Sequence, residues 1–268
     1  MPDRDTVLCM SLSGRPSNIG TRFHNYIYRE LGMNYLYKAF TTTDLPAAIG
    51  GVRALGIRGC AISMPFKEAV IELIDVMEPS AAAIDSVNTI VNEAGVLHAH
   101  NTDYAAVASL LASNVVDPSL PAAVSGAGGM AKAVVAALRD HGFTEVTVVA
   151  RNPEAGGALA AQYGFHYASA APADARVLVN ATPVGMAGSP ASDDLAFARP
   201  LIDAADTVFD VVAMPPQTPL VSAGRAAGAT VITGAEVIAL QAAEQFALYT
   251  GVRPDPDLVR AASEFSRA

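Results

Sequence analysis

The sequence predicts a two-domain α/β protein with largely parallel sheets. The chain has 268 residues, which exceeds the usual length of one domain. Short apolar segments that suit buried strands alternate with segments that suit helices along the whole chain. Hydrophobic residues make up 51% of the chain and charged residues 16%, which favours a folded core over disorder.

The first half of the chain is predicted to contain short elements separated by turns. These are a strand over Thr6–Ser11, a turn over residues 13–18, helices over Thr21–Leu31 and Ala48–Leu55, and strands over Gly59–Ser63, Thr89–Val91 and Val96–His98. Pro65 should end the second strand, because proline has no backbone N–H to donate. The last two strands flank Glu93-Ala94-Gly95, which predicts a hairpin.

The second half alternates more regularly. The predicted strands are Ala122–Ser125, Val146–Ala150, Val177–Asn180, Val208–Val212 and Thr230–Ile232. The predicted helices are Met130–Leu138, Ala155–Tyr163 and a long apolar helix over Ala235–Tyr249. This alternation predicts a parallel sheet covered by helices.

Composition and charge exclude several classes of function. The net charge of −9 disfavours partners such as nucleic acid and anionic membranes, which need a basic surface. No segment reaches the roughly 18 apolar residues of a membrane helix, and the N-terminus lacks the apolar segment of a signal peptide. We therefore expect a cytoplasmic protein. Cys9 and Cys60 match no metal-ligand spacing, so no metal is expected and both should be small buried hydrophobes.

A glycine-rich loop follows the strand Ala122–Ser125. Gly126-x-Gly128-x-x-Ala131 lies between a strand and a helix, which is the setting of a dinucleotide-binding loop. The two glycines would allow a tight turn and a close approach to a pyrophosphate, and Ala131 would allow close packing of helix on sheet. Gly129 and Met130 would lie at the same helix N-terminus. The loop predicts a Rossmann-type domain, with an ordinary glycine-rich turn as the alternative.

The end of the next strand indicates which dinucleotide is bound. An NAD-specific fold usually places Asp or Glu there, whereas this chain has Ala150-Arg151-Asn152. A guanidinium suits the 2′-phosphate of NADP, so NADP is expected and NAD is the less favoured cofactor. Arg151 could alternatively be a solvated surface charge.

Two segments in the first half carry groups suited to catalysis. Lys67 lies just beyond a predicted strand, and Asn101-Thr102-Asp103 follows another. A dehydrogenase must remove the hydroxyl proton of an alcohol as hydride leaves its carbon. A lysine amine can accept that proton when burial favours its neutral form, and a carboxylate can orient it. Both residues could instead be ordinary surface charges.

Six motifs in order make the chain resemble the shikimate dehydrogenase family. They are Pro65-Phe66-Lys67, Ser86-Val87-Asn88-Thr89, Asn101-Thr102-Asp103, Gly126-Ala127-Gly128-Gly129, Asn180-Ala181-Thr182-Pro183-Val184-Gly185-Met186 and Gln241-Ala242-Ala243. The resemblance implies an N-terminal α/β substrate domain, residues 1–103 with 236–268, and a Rossmann-type nucleotide domain, residues 104–235. It also implies reversible NADP-dependent oxidation of shikimate to 3-dehydroshikimate.

The resemblance assigns roles residue by residue. Lys67 and Asp103 match the catalytic pair of the family, and Ser63 keeps a hydroxyl where the family has Thr. Asn88 and Gln241 match residues that bind the ring hydroxyls. The nicotinamide side of the cofactor would meet a set of residues in the second half, Asn180, Thr182, Met186 and Gly234. Asn180 and Thr182 could instead be local capping residues.

The departures from the family lie at the substrate end. The two serines whose hydroxyls hold the carboxylate in the family fall on Asn18 and Gly20, and the proline after them falls on Thr21. Ser11, Ser13 or Ser17 is therefore expected to substitute. Arg15 and Arg22 are alternative cations for a carboxylate, and His24 is interpreted as structural. Alanine stands at three positions where the family has larger residues. Ala61 replaces an Asn, Ala213 replaces a Tyr near the nicotinamide, and Ala155 replaces a second basic residue.

Three functions are therefore compared. The leading hypothesis is an NADP-dependent dehydrogenase of shikimate or a related cyclic hydroxy acid, acting as a monomer or homodimer. The second is an NAD-dependent quinate or shikimate dehydrogenase. The third is a non-catalytic module that has the same fold and senses a ligand without turnover, since fold alone does not establish activity.

Overall fold

The structure is a computed structural model that describes residues 2–267 as two compact units. Unit 1 comprises residues 2–102 and 239–267, and unit 2 comprises Asp103–Ile238. The chain passes between the units within two helices, Thr102–Ser113 and Gly234–Thr250. In the described part of the chain, no helix combines the length and the apolar character needed to cross a bilayer.

Unit 1 is built on a six-stranded mixed sheet. Its strands are β1 (Val7–Leu12), β2 (Tyr35–Phe40), β3 (Gly59–Ile62), β4 (Val76–Met77), β5 (Thr89–Glu93) and β6 (Val96–His100), in the order β2-β1-β3-β5-β6-β4. Strand β5 runs antiparallel to β3 and β6, and the other pairs are parallel. Three of the five strand pairs are parallel, in agreement with the predicted α/β fold, and the two antiparallel pairs both involve β5, the first strand of the predicted hairpin.

Helices cover both faces of this sheet. They are α1 (Ile19–Glu30), α2 (Leu45–Ala54), the short α3 (Pro79–Ala82), most of α9 (Gly234–Thr250) and α10 (Pro256–Arg267). Phe23, Tyr37 and Phe246 belong to a mainly aromatic core on one face, whereas Leu12 and Ile62 belong to an aliphatic core on the other. The segregation follows from the alternation of side chains along each strand.

The buried cysteines and histidine agree with the sequence analysis. Cys9 and Cys60 are free and buried, and burial raises their thiol pKa values to about 11 and about 12. His24 is fully buried against the ring of Tyr37, with 4.3 Å between centroids. Their predicted structural roles are confirmed.

Unit 2 has the predicted Rossmann-type architecture. Its six parallel strands are β7 (Ala122–Ser125), β8 (Val146–Val149), β9 (His166–Ala168), β10 (Val177–Asn180), β11 (Thr207–Asp210) and β12 (Thr230–Thr233), in the order β12-β11-β10-β7-β8-β9. The helices are α4 (Thr102–Ser113), α5 (Gly129–His141), α6 (Pro153–Tyr163), α7 (Arg199–Ala204) and α8 (Pro219–Ala227). All strand partners run in one direction, so their carboxyl ends share one edge.

Capping explains why two helices begin earlier than predicted. The Asp44 side chain accepts a hydrogen bond from Ala47 N, so α2 begins at Leu45 rather than Ala48. Asn152 accepts from the backbone N–H groups of Glu154 and Ala155, and α6 begins at Pro153. Such side chains satisfy donors that the first helical turn leaves free, and proline suits that turn.

Candidate active site

A buried amide organises the predicted substrate site of unit 1. Asn88 is 2% exposed and lies just before β5. Its Nδ2 donates to Thr102 Oγ1 at 3.0 Å and to Gln241 Oε1 at 3.4 Å, while its Oδ1 accepts from Thr102 N at 2.8 Å. These contacts fix the orientation of the Asn88 amide. They also bring together two predicted substrate-binding residues, Asn88 and Gln241.

Helix α9 supplies a second glutamine that the sequence analysis missed. Gln245 is buried, and its Nε2 donates to Thr89 Oγ1 at 3.0 Å. Gln241 and Gln245 are four residues apart, so they lie on one face of the helix. That spacing is the sequence signal that could have identified Gln245.

Lys67 lies in the segment after β3 and is partly buried. Its backbone carbonyl accepts from Val87 N at 2.9 Å, which anchors Lys67 next to the Asn88 segment. Ser63 is exposed at the end of the same strand, where its N–H donates to Leu12 O at 2.9 Å. The fold therefore places both predicted residues at the carboxyl end of β3.

Asp103 begins the part of the chain that belongs to unit 2 and lies in the first turn of α4. It is 6% exposed, so the alternative of an ordinary surface charge is wrong for this residue. The preceding Asn101 is held within unit 1, because its N–H donates to Ser80 Oγ and its Nδ2 donates to Ser86 O. The backbone before the carboxylate is thus fixed by buried hydrogen bonds.

Two serines predicted to hold a substrate carboxylate, Ser11 and Ser13, have partners within unit 1. Ser13 Oγ accepts from Arg15 N at 3.1 Å, so it stabilises its own loop. Ser11 lies beside the Tyr37 hydroxyl. Burial raises the pKa of Tyr37, and a hydrogen bond with Ser11 partly opposes that rise. A Cβ at Gly20 would lie 3.5 Å from that hydroxyl. Tyr37 was not predicted, because a tyrosine in an apolar strand has the pattern of a core residue.

Ala61 separates two polar positions on the same sheet face. Strand register places Ser11 opposite Ala61 and Ala61 opposite Thr89. The methyl group offers no hydrogen bond where the family has an asparagine amide. Across this face of the sheet, an apolar side chain at Ala61 therefore separates the hydroxyls of Ser11 and Thr89.

The glycine-rich loop of unit 2 has the tight turn that the sequence predicts. Gly126 has φ 121°, and a Cβ there would lie 2.8 Å from Ala181 O, so the tight turn requires glycine. A Cβ on Gly128 or Gly129 would meet no atom within 4 Å, which leaves space for a ligand at the N-terminus of α5. Ala131 is fully buried behind the loop. The helix begins at Gly129, with Met130 partly buried in its first turn.

The other predicted cofactor residues meet at the same edge of the sheet. Register aligns Asn180 with Ser125 on one side and with Asp210 on the other. Asn180 Oδ1 accepts from Thr182 N and Oγ1, and its Nδ2 donates to Val184 O and Asp210 Oδ1. These bonds agree with the local structural role considered as an alternative for Asn180 and Thr182.

The remaining predicted contacts differ in exposure. Arg151 is exposed after β8, and Met186 is 40% exposed in the loop after β10. A Cβ on Gly234 would lie 2.4 Å from Val211 O, so backbone packing requires glycine there whether or not a cofactor is bound. Within residues 2–267, no group of His, Cys, Asp and Glu has a geometry that could hold a metal ion.

Comparison with known proteins identifies the family. Residues 18–90, which lie in unit 1, match the family model for the shikimate dehydrogenase substrate binding domain. A shikimate dehydrogenase-like protein of Haemophilus influenzae is 53% identical over 268 residues, which cover 100% of this chain and 99% of the relative. The chain belongs to the shikimate dehydrogenase family.

Solved structures of shikimate dehydrogenase relatives extend the comparison. A shikimate 5-dehydrogenase of Thermus thermophilus, in complex with NADP(H) and shikimate, superposes with a TM-score of 0.84 at 31% identity, covering 97% of this chain and 99% of that one. A quinate dehydrogenase of Corynebacterium glutamicum in complex with NAD has a TM-score of 0.88 at 29% identity, covering 97% and 99%. The two relatives differ in substrate and cofactor.

Proposed function

We propose that the protein is an NADP-dependent oxidoreductase acting on shikimate or a related cyclic hydroxy acid. The observation that carries this proposal is the buried network in which Asn88 holds Gln241 and the Thr102 backbone. Its amides are fixed beside the Lys67 segment and provide donors and acceptors for ring hydroxyls. Such an arrangement suits a polyhydroxylated ring better than an apolar ligand.

The catalytic roles follow from the chemistry of alcohol oxidation. Lys67 would accept the proton of the reacting hydroxyl, and Asp103 would orient the lysine amine and relay that proton. NADP, when bound, supplies the acceptor for the hydride that leaves the same carbon. Asn88 and Gln241 would hold the ring so that the reacting hydroxyl faces Lys67.

The nucleotide loop fits a dinucleotide. The backbone turn at Gly126 and the open space beside Gly128 and Gly129 would receive the pyrophosphate at the N-terminus of α5. The exposed guanidinium of Arg151 would pair with the 2′-phosphate, which is the reason for proposing NADP over NAD. The Thermus relative in complex with NADP(H) supports this assignment.

We propose a class of substrates rather than one acid, because the residues near the expected carboxylate position differ from those of the family. Asn18 and Gly20 replace the two serines of the family, and Ser11 with Tyr37 provides the hydroxyls on this side. The methyl group of Ala61, which lies opposite Ser11, offers a bound substrate no hydrogen bond. We expect weaker affinity for the shikimate carboxylate than the complete motif would give.

Steady-state turnover of Lys67→Ala tests the proposal. Reduced cofactor would be followed optically with NADP or NAD at equal concentration, and with shikimate or quinate as substrate. Loss of the proton acceptor should lower kcat with NADP and shikimate by about 100-fold or more. Lys38→Ala is the matched control, because Lys38 is an exposed lysine on β2 of the same unit, beside the ring of Phe40.

Other outcomes separate the alternatives. Unchanged turnover in Lys67→Ala would remove the proposed mechanism. A strong preference for NAD with quinate would contradict the role given to Arg151 and favour a quinate-type enzyme. Thermal stabilisation by shikimate without any cofactor reduction would instead favour a ligand-sensing module.

A further inference from the structure

One hydrogen bond of unit 2 connects the residue after Asp103 to the nucleotide-binding helix. The Tyr104 hydroxyl donates to Asp140 Oδ2 at 2.6 Å. Tyr104 lies in the first turn of α4, and Asp140 lies near the C-terminal end of α5. A charge-assisted bond of this length is among the stronger contacts that a tyrosine makes.

The acceptor is itself held in place. Arg139 Nε donates to Asp140 Oδ1 at 2.7 Å, and the Arg139 guanidinium lies 5.0 Å from the centre of the Tyr163 ring. Arg139 lowers the pKa of Asp140, so the carboxylate is ionised at neutral pH. Burial and the neighbouring Asp140 raise the pKa of Tyr104 to about 12, so its hydroxyl keeps the proton that it donates.

Asp103 therefore lies between two anchored neighbours. Before it, Thr102 N donates to Asn88 Oδ1 at 2.8 Å within unit 1. After it, Tyr104 donates to Asp140 within unit 2. A shift of the Asp103 backbone requires one of these bonds to lengthen or break.

We propose that Tyr104 is a positioning residue that sets the placement of the Asp103 carboxylate through its bond to Asp140. The inference rests on the proposed catalytic role of Asp103. Helix α5 spans 13 residues, about 20 Å, from the glycine loop at Gly129 to the region of Asp140. The helix that would receive the cofactor pyrophosphate thus also fixes the start of α4. This connection relates the cofactor loop to the geometry of the catalytic acid.

A kinetic comparison of Tyr104→Phe with wild type tests the role. Phenylalanine keeps the ring and removes only the donor, so misplacement of Asp103 should lower kcat about 5- to 20-fold. KM for shikimate and for NADP should change by less than about twofold, because the binding groups are untouched. A structural role alone would lower the melting temperature without this separation of kcat from KM.

Variants of the acceptor Asp140 test whether a conservative substitution preserves kcat and whether Tyr104 and Asp140 act through one interaction. Asp140→Asn keeps an acceptor oxygen and should retain about half of the wild-type kcat. Asp140→Ala should match Tyr104→Phe, and the double variant should lose no more than either single variant, because both remove one interaction. Arg199→Ala is the control, since it breaks an exposed ion pair with Asp203 elsewhere in unit 2 and should leave kcat unchanged.

Asp103→Asn in the same assay separates this inference from the proposed function. If Asp103→Asn is inactive while Tyr104→Phe keeps wild-type kcat, the positioning role is wrong and the proposed function stands. If Asp103→Asn keeps its kcat, both fail. Hydrogen exchange of peptides covering residues 101–108 gives a readout independent of turnover. Exchange should be about tenfold faster in Tyr104→Phe, and unchanged exchange overturns the role.

Discussion

The aromatic core of unit 1 and the carboxyl edge of the unit 2 sheet bury polar side chains in opposite ways. In unit 2, the fully buried Asp210 accepts hydrogen bonds from Asn180 Nδ2, Val212 N and Thr218 Oγ1. In unit 1, the aromatic core around α1 contains buried polar atoms without hydrogen-bond partners, namely Thr21 Oγ1, both ring nitrogens of His24 and the hydroxyls of Tyr28 and Tyr249. No such atom occurs among the described residues of unit 2.

The difference shows what each kind of group costs when it is buried. A carboxylate without partners is too costly to bury, whereas a hydroxyl or a neutral imidazole costs a few kcal/mol at most. His24 is buried as a neutral imidazole, because burial lowers its pKa to about 3. Stacking on the Tyr37 ring offsets part of the cost of burying the ring nitrogens. The Asp210 network fixes the loops that follow β10 and β11, while most of the unpaired polar atoms in the aromatic core of unit 1 belong to rings that pack as hydrophobes.

Asp210→Ala should give the largest effect on stability. The substitution leaves the buried donors of Asn180, Val212 and Thr218 without their acceptor. Each unsatisfied buried donor costs about 1–3 kcal/mol, so the loss should be at least about 3 kcal/mol. Urea unfolding would measure the loss. Asp206→Ala is the control, because Asp206 pairs with Arg176 at the surface and its loss should cost less than about 1 kcal/mol. Equal losses in the two variants would contradict the importance of the buried network.

Acid should destabilise unit 1 through His24. A histidine in the unfolded chain titrates near its ordinary pKa of about 6.5, whereas His24 in the fold titrates near 3. Between these values the unfolded chain binds the extra proton, so the free energy of unfolding falls as pH falls. The slope approaches about 1.4 kcal/mol per pH unit, and no such contribution exists above the ordinary pKa.

His24→Phe provides the comparison for this acid effect. Phenylalanine keeps a stacked ring but cannot titrate, so its stability should fall less steeply between about pH 6 and pH 4. His100, whose pKa burial also lowers, is present in both proteins and does not contribute to the difference. Identical pH slopes for the two proteins would show that His24 is not buried in its neutral form.

The contrast between the units also explains how far the sequence predicts the fold. Parallel buried strands such as Val177–Asn180 are apolar segments between turns, so the sheet of unit 2 was predicted almost completely. Strand β2 was missed, because its tyrosines and lysine do not form a continuous apolar run. The hairpin pattern predicted the antiparallel pairing of β5 with β6, whereas the pairing of β5 with β3 depends on contacts across the sheet, which no local pattern encodes.

The candidate site was predictable where a motif has its own local geometry. Gly126 was identified because a glycine-rich turn marks it in the chain, whereas Asn88 was identified because its segment matches a motif of the family. Tyr37 was not identified, since its contact is with Ser11, a neighbour distant in sequence. Gln245 was missed although its spacing from Gln241 marks it, and its contact with Thr89 is equally distant in sequence. Long-range contacts of this kind appear only once the sheet and helices are packed.

The smallest predicted effect compares two hydroxyls directly. The Tyr28 hydroxyl meets no hydrogen-bond partner within residues 2–267 other than the Cys9 thiol beside it, which is a weak acceptor. Tyr28→Phe therefore removes a desolvated group at the cost of one weak contact, and stability should be unchanged or increase by up to about 1 kcal/mol. Thr218→Val removes a hydroxyl that donates to Asp210 and accepts from Val221 N, and should cost about 1–3 kcal/mol. A loss of more than about 1 kcal/mol in Tyr28→Phe would mean that the unit 1 hydroxyl is bonded after all, for example through a buried water, and the contrast between the units would disappear.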